Sequence, residues 1–272
     1  MRRLTDIRHL VIDMDGVLYV GDRPMPRLPD LIGFLRRHDI GFTLATNNSG
    51  STPSQYAAKL ARMGVQVAPE EILTSATATA QWLARQYPPG TRVHAFGEAS
   101  LREALAGAGF VLADEDVEVV VASIDWEVTY EKIKRAALLI RRGARFVATN
   151  LDPTRPTEEG LVPGTGALVA AIAVGAGVEP IAIGKPEPTM FELAMARMDA
   201  TPATTATLGD RIDTDMEGGV RAGCATILVL SGSTTRAQAE AYGPDFLFED
   251  IADLLYHWER QTLPAGPQLG SV

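Results

Sequence analysis

Cysteine is nearly absent from this chain: Cys224 is the only one in 272 residues. An internal disulfide is excluded, and so is a metal centre built on several thiolates. A reducing compartment is the natural reading. Histidine is scarce as well, and His9, His38, His94 and His257 are scattered with no pair at ligand spacing. Positive charge falls short of negative, with 25 Lys and Arg against 34 Asp and Glu and a formal net charge of −9. A nucleic acid polymer recruits a positive footprint, so none is expected as a partner. An anionic ligand would have to be drawn in locally, by a metal or a few placed cations. Long apolar runs are missing too. The longest, ALVAAIAVGAGV at 167–178, is too short to span a bilayer. The basic start MRRLTDIRHLVIDMDG imitates the first part of a secretory signal, but Asp13 and Asp15 cut its apolar run and no small-residue cleavage site follows. A cytoplasmic chain with no membrane partner is expected.

What is present is an ordinary globular balance, 46% hydrophobic and 22% charged residues, in a length that suits a core domain plus a smaller second one. Short apolar runs alternate with helical patterns, which predicts an α/β protein with a parallel sheet. Leu10-Val11-Ile12, Phe42 to Ala45, Ala206 to Leu208 and Thr226 to Leu230 read as strands buried on both faces. Thr52-Pro53-Ser54-Gln55 reads as a capping box that opens a helix, with Gly64 at its left-handed stop. Between about 80 and 182 the chain carries its own strands (Val93 to Phe96, Val117 to Ala122, Arg145 to Ala148) and helices (Ala99 to Ala108, Tyr130 to Arg142). The expected division is a discontinuous core of 1–80 plus 183–260, an insertion over 81–182, and a tail, 261–272, whose Pro- and Gly-bearing sequence predicts disorder.

Polar residues gather where four apolar runs end. Leu10-Val11-Ile12 leads into Asp13-Met14-Asp15-Gly16, and Phe42 to Ala45 leads into Thr46-Asn47-Asn48-Ser49. Ile181-Ala182-Ile183 leads into Gly184-Lys185-Pro186, and Ala206 to Leu208 into Gly209-Asp210, with Asp213 and Asp215 beyond. In open parallel sheets ligands bind outside the carboxyl ends of strands. Each segment has a bland reading when taken alone. Asp13 and Asp15, about 6–7 Å apart on an extended chain, suit a divalent cation or a nucleophile beside an acid, but Asp is also common at turns. Thr46 to Ser49 offers donors for a phosphate or is a loop before a helix cap, and Lys185 is a placed cation or a solvated one. The crowded carboxylates of Asp210, Asp213 and Asp215 either need a cation or sit at a helix start, where the dipole favours them. Together the segments supply every part that phosphoryl transfer needs: a carboxylate nucleophile, hard oxygen ligands, donors for the equatorial oxygens and one cation.

The same four motifs, DMDGVLY at 13–19, TNNS at 46–49, GKP at 184–186 and GDRIDTD at 209–215, resemble in kind and order those of the haloacid dehalogenase superfamily of phosphohydrolases. TNNS, the position of the insertion and the string FVATNLDPTRPTEEGLVPGTGAL at 146–168 are similar to the IIA subclass. That subclass includes nitrophenylphosphatases, nucleotide monophosphatases, and phosphoglycolate, glycerol-phosphate and pyridoxal-phosphate phosphatases. The resemblance covers the chain to about residue 260. It implies a Rossmann-like parallel-sheet core with an inserted α/β cap of type II. It also implies a phosphatase in which Asp13 attacks phosphorus to form an aspartyl-phosphate, while Asp15 protonates the leaving oxygen and then activates water. Mg2+ would be held by Asp13, the Asp15 backbone carbonyl and Asp210, with Asp215, and less directly Asp213, in support. Thr46, Asn47 and Asn48 would bind the phosphoryl group, Lys185 would neutralise its charge, and Asn150, Asp152 and Arg155 in the cap would read the leaving group of a small phosphate ester. Dimers through the cap occur in the subclass, so a homodimer is compatible with the resemblance. Val17 stands where the wider superfamily often has Thr, and the IIA branch commonly has Val there. The presence of Asp15 argues against carbon–halogen hydrolysis, since dehalogenases of the superfamily lack the second aspartate.

Three further signals read as structure. Gly164-Thr165-Gly166 lacks the third glycine of a dinucleotide loop, because position 169 is Val, and is expected to be a tight turn into a helix. His257 and Trp258 are expected to pack the last helix, and Cys224 to lie in a core. A phosphotransferase or mutase with the same covalent intermediate is an alternative enzyme. A catalytically idle binding protein is a third reading, and it would be expected to have lost one of Asp13, Asp15, Lys185 or Asp210.

Overall fold

Strands that are apolar at nearly every position have no polar face to give to water. They bury both faces, and helices cross over to connect them in parallel. The computed structural model, which describes residues 3–157 and 159–262, shows this arrangement twice. The chain divides into two compact units. One is drawn from Met1–Leu44, Leu60–Val67 and Ala194–Val272, the other from Ala45–Lys59 and Ala68–Leu193.

In the first unit the strands Phe246–Phe248, Ala225–Val229, Thr205–Gly209, His9–Ile12 and Gly41–Thr46 lie side by side in that order, all parallel. The last two residues of Gly41–Thr46 already belong to the second unit. Leu10 stands opposite Ala206 and Phe42, and Ile12 opposite Leu208 and Leu44. Leu10, Ile12, Leu208, Ile227 and Leu228 are wholly buried, and each such side chain stabilises the fold by about 1.5–3 kcal/mol. The helix Leu28–Arg37 buries Leu28, Leu31, Ile32 and Leu35, the i, i+3, i+4, i+7 stripe of a core-facing helix. Its Phe34 ring lies 5.7 Å from that of Trp258 in the helix Ile251–Thr262, so Trp258 is a packing residue. Cys224 is buried with its sulfur 3.8 Å from that of Met195. The last helix includes the first two residues of the expected tail, and 263–272 lie outside the described residues.

Strand order decides where a ligand can enter. From His9–Ile12 the chain goes to Gly41–Thr46 on one side and later returns to Thr205–Gly209 on the other. The order reverses beside His9–Ile12, which makes a topological switch point at its carboxyl end.

In the second unit the strands Ile181–Ala182, Arg145–Ala148, Val119–Ala122, Arg92–Phe96 and Val111–Leu112 form another parallel sheet, in that order. The helices Tyr130–Arg141 and Thr165–Ala176 supply Ala136, Ile140, Val169 and Ile172 to a core with Val120, Phe146 and Ala148. The helix Pro53–Arg62 starts with the expected reciprocal cap: Gln55 N–H donates to Thr52 Oγ1 at 3.3 Å, and Thr52 N–H to Gln55 Oε1 at 2.8 Å.

The structure corrects the sequence reading in two places. Ile181–Ala182 does not join the sheet that carries Asp13; it pairs with Val147 and Ala148 at the edge of the second unit's sheet. Apolar character marks a strand but does not say which sheet takes it. The segment after residue 150 contains an antiparallel hairpin, Thr154–Thr157 with Gly160–Pro163, that was not anticipated. A proline in each of its strands hides the β pattern. Among the described residues, no helix is long and apolar enough to cross a membrane.

Candidate active site

The strand His9–Ile12 ends one residue before Asp13, and its ladder runs one step further, with Asp13 N–H donating to Leu208 O at 2.8 Å. Asp210 follows directly on the adjacent strand Thr205–Gly209. Two neighbouring parallel strands thus deliver two carboxylates to the same edge at the switch point. Asp215 arrives from the π-helical turn Ile212–Met216, and its carboxylate accepts the Arg211 N–H at 3.2 Å. Oxygens of Asp13, Asp210 and Asp215 lie within 4.8 Å of one another. Asp210 and Asp215 are buried and Asp13 is half-buried. Three carboxylates this close repel one another unless a cation stands among them.

The surrounding backbone leaves no room for side chains. A Cβ on Gly16, whose φ of +82° already favours glycine, would stand 2.7 Å from Asp210 Oδ2; one on Gly232 would stand 2.0 Å from the same atom. Ser233 N–H donates to Asp210 Oδ2 at 2.7 Å, and Ser231 Oγ donates to Gly16 O at 2.7 Å. The loop Ser231-Gly232-Ser233 therefore closes on Asp210. Asp15 is exposed, and its backbone bridges to Tyr19. Asp213 stands apart, because both of its carboxylate oxygens take hydrogen bonds from Arg211, at 3.0 and 2.6 Å. Those bonds hold its carboxyl below the usual range. Of the two later aspartates, it is Asp215 that joins the cluster.

The second unit gathers a different group. Asn47 is buried, and its side-chain amide clamps the Lys185 backbone: Oδ1 accepts Lys185 N–H at 2.8 Å and Nδ2 donates to Lys185 O at 2.8 Å. Nδ2 also lies 3.2 Å from Asp152 Oδ2. The carbonyl of Asn47 accepts Ser75 Oγ–H at 2.6 Å and Asn150 Nδ2 at 2.8 Å. Asn150 Oδ1 accepts the Asp152 N–H at 3.1 Å. Lys185 is buried, and its Nζ donates to Ala45 O at 3.1 Å. Gly184 makes the approach possible, since a Cβ there would stand 2.6 Å from both Asn47 Oδ1 and Thr149 O. Thr46 is buried with its Oγ1 accepting Asn48 N–H at 3.1 Å. Asn48 is exposed, and its side chain accepts Gly50 N–H at 3.0 Å. Asn47, Asn150, Asp152 and Lys185 are thus brought together. Arg155 is not among them: its guanidinium lies over the Trp126 ring, 4.7 Å from the centroid. The glycines of Gly164-Thr165-Gly166 serve close packing, because a Cβ on Gly166 would stand 2.3 Å from Leu151 O.

Residues 10–111 match the family model of haloacid dehalogenase-like hydrolases, and residues 182–254 match a second model described as HAD-hydrolase-like. An acid sugar phosphatase of Staphylococcus saprophyticus is 37% identical over 253 residues, 92% of this chain and 97% of the relative. The chain belongs to the haloacid dehalogenase-like hydrolases. Solved structures agree. A thermostable NPPase double mutant from Geobacillus stearothermophilus has a TM-score of 0.85 at 37% identity, covering 91% of this chain and 98% of that one. A glycerol phosphate phosphatase from Mycobacterium tuberculosis, in complex with magnesium, has a TM-score of 0.84 at 33% identity, covering 92% and 76%. Among these hydrolases the chain falls with the IIA subclass.

Three residues that hydrogen-bond within these two groups, each in its own unit, have no motif to announce them. Ser231 and Ser233 follow a strand of the same sheet, and small polar residues at that edge were the available signal. Ser75 opens the helix Ser75–Ala84, and nothing in its local pattern points to the Asn47 carbonyl. The side chain of Asn47 was legible as an amide donor, but its grip on Lys185 joins positions 138 apart in sequence.

Proposed function

We propose that this hydrolase is a Mg2+-dependent phosphomonoesterase that acts on small phosphorylated metabolites through an aspartyl-phosphate. The observation that carries the proposal is the convergence of Asp13, Asp210 and Asp215 at the switch point of a parallel sheet. The donor set suits the metal: carboxylate oxygens are hard ligands, and the glycine-walled cradle around Asp210 keeps protein side chains out of the space beside them. Asp13, the Asp15 carbonyl and Asp210 would hold the ion, with Asp215 in support, and the ion supplies charge neutralisation and orientation of the phosphoryl oxygens.

The residues do the rest. An Asp13 carboxylate oxygen bonds to phosphorus as the bond to the leaving oxygen breaks, and Asp15 gives that oxygen its proton. Asp15 then takes a proton from a water whose oxygen attacks phosphorus, releasing inorganic phosphate and restoring the Asp13 carboxylate. Exposure of Asp15 suits a group that exchanges protons with substrate and water in turn. The Thr46–Asn47 loop and the Lys185 ammonium are proposed to receive the phosphoryl oxygens, and the Asn47 clamp fixes the backbone from which Lys185 projects. Asn150, Asp152 and Arg155 are proposed to shape the leaving-group side. An inserted cap over 81–182, a homodimer through it and a cytoplasmic location complete the proposal; the buried lone Cys224 suits a reducing compartment.

Support comes also from the relatives, whose names are those of phosphatases. The test is phosphate release from a panel of metabolite phosphates and 4-nitrophenyl phosphate, with Mg2+ and with EDTA. Release that requires the metal is expected. Phosphate transferred to an added alcohol in place of free phosphate would instead indicate a phosphotransferase.

A further inference from the structure

Trp126 is the most exposed of the three tryptophans, at 50%, whereas Trp258 is buried and Trp82 half-buried. A lone exposed aromatic needs no explanation, but this one is held from three directions. Its backbone N–H donates to Glu98 Oε1 at 2.8 Å, and the Glu98 N–H donates to Ile124 O at 3.0 Å. The preceding residue, Asp125, is buried; it accepts Glu127 N–H at 3.0 Å and is gripped by Lys132 Nζ through both oxygens, at 2.9 and 2.8 Å. Above the indole sits the Arg155 guanidinium, 4.7 Å from the ring centroid, a cation–π contact that restrains both side chains. A Cβ placed on Gly50 would stand 3.5 Å from Trp126 Cζ2. With its backbone pinned and its ring under Arg155, the indole adjoins the end of the Thr46-to-Gly50 loop, within the same unit.

We infer that Trp126 and Arg155 form a platform that receives the ring of a phosphate ester's leaving group. This deepens the phosphatase reading and rests on it, since the phosphoryl group is taken to lie in the Thr46–Asn47 loop. An aromatic face offers flat apolar area with little rotamer freedom to lose. The guanidinium stacked on it presents a planar face of its own and, at its edge, donors for ring hydroxyls or a nitro group. The chemistry recognised is a ring with a face to lay on this indole–guanidinium stack, whether saccharide or aromatic. An acyl or short-chain leaving group has no such face and gains nothing from the platform.

The test compares Trp126→Ala, Trp126→Phe and Arg155→Ala with the wild type on glucose 6-phosphate, 4-nitrophenyl phosphate and acetyl phosphate in Mg2+. Loss of one aromatic stacking contact predicts a rise in KM of about five- to tenfold for the ring-bearing esters in Trp126→Ala, with kcat and all acetyl phosphate constants unchanged. Trp126→Phe should recover most of the loss, and Arg155→Ala should fall between. The larger rise identifies which ring, saccharide or aromatic, the platform fits. Equal changes for all three substrates, or none, would overturn the inference while leaving the phosphatase intact. Independently of turnover, glucose 6-phosphate titrated into the protein in EDTA should change the tryptophan fluorescence, and the change should vanish in Trp126→Phe, where Trp82 and Trp258 remain. If no substrate is turned over by the wild type, the phosphatase reading fails, and a fluorescence response that survives in Trp126→Phe removes the platform as well.

Discussion

Replacing Asn47 isolates the contact that ties two distant motifs together. Its amide satisfies the N–H and the C=O of buried Lys185, each at 2.8 Å, and lies 3.2 Å from an Asp152 carboxylate oxygen. In Asn47→Ala both Lys185 backbone groups lose the bonds that the Asn47 amide makes to them. A buried polar group left unsatisfied costs about 1–3 kcal/mol, so two predict a loss of about 2–6 kcal/mol, toward the lower end where water fills the space. Asn47→Asp has nearly the same shape but the opposite chemistry on one side. The new carboxylate still accepts Lys185 N–H, but it sets an oxygen against Lys185 O and the Asp152 carboxylate. At pH 7.5 it should be at least as destabilising as alanine. Those neighbours raise the folded-state pKa of the new carboxyl above its unfolded value, so the deficit should shrink as pH falls, because the protonated group donates again. Urea unfolding of the three proteins at pH 7.5 and 5.5 measures this. An alanine variant within about 0.5 kcal/mol of wild type, the range of an ordinary surface change, would refute the clamp. So would an aspartate variant more stable than alanine at pH 7.5.

Asp210→Asn removes one of three crowded carboxylates, so in EDTA it should leave the thermal midpoint unchanged or raised, while abolishing the Mg2+-induced rise expected of the wild type; a rise that persists would place the metal elsewhere. Leu208→Ala, in the centre of the first unit's sheet and wholly buried, should cost about 2–5 kcal/mol in urea unfolding. His94 is buried beside Asp114 and Arg135, its Nδ1 3.1 Å from Asp114 Oδ1, and burial pulls its imidazole below the ordinary range against the pull of Asp114. The unfolded chain then takes up a proton as pH falls through about 6.5, where folded His94 does not, so His94 should make stability decline from there downward. The decline should be shallower in His94→Gln, as unfolding titrations from pH 7.5 to 5 would show.

How much of this could be read from residues alone depends on the range of the interaction. The strands ending at Asp13, Thr46 and Asp210 were legible because a short apolar run bounded by polar residues is a local signal with few alternative structures. Their convergence on one edge followed from a general property of parallel sheets. Lys185 shows the limit: the run before it is equally apolar, but Ile181–Ala182 pairs in the other sheet, a choice made by long-range register. The Asn47 clamp and the Ser231–Ser233 loop were illegible for the same reason, since each joins residues far apart in sequence through hydrogen bonds that leave no periodicity. Trp126 is illegible in sequence because one aromatic in a loop carries no pattern; only the Arg155 stack and the pinned backbone give it meaning.

In the proposed reaction Asp13 carries the phosphoryl group. Turnover of 4-nitrophenyl phosphate in Mg2+, quenched with sodium borohydride, should reduce the acyl phosphate and convert residue 13 alone to homoserine, as peptide mass mapping would show. Asp13→Asn should release no phosphate and show no conversion. Sustained turnover by the wild type with no mark on Asp13, or phosphate release that persists in Asp13→Asn, would exclude Asp13 as the nucleophile.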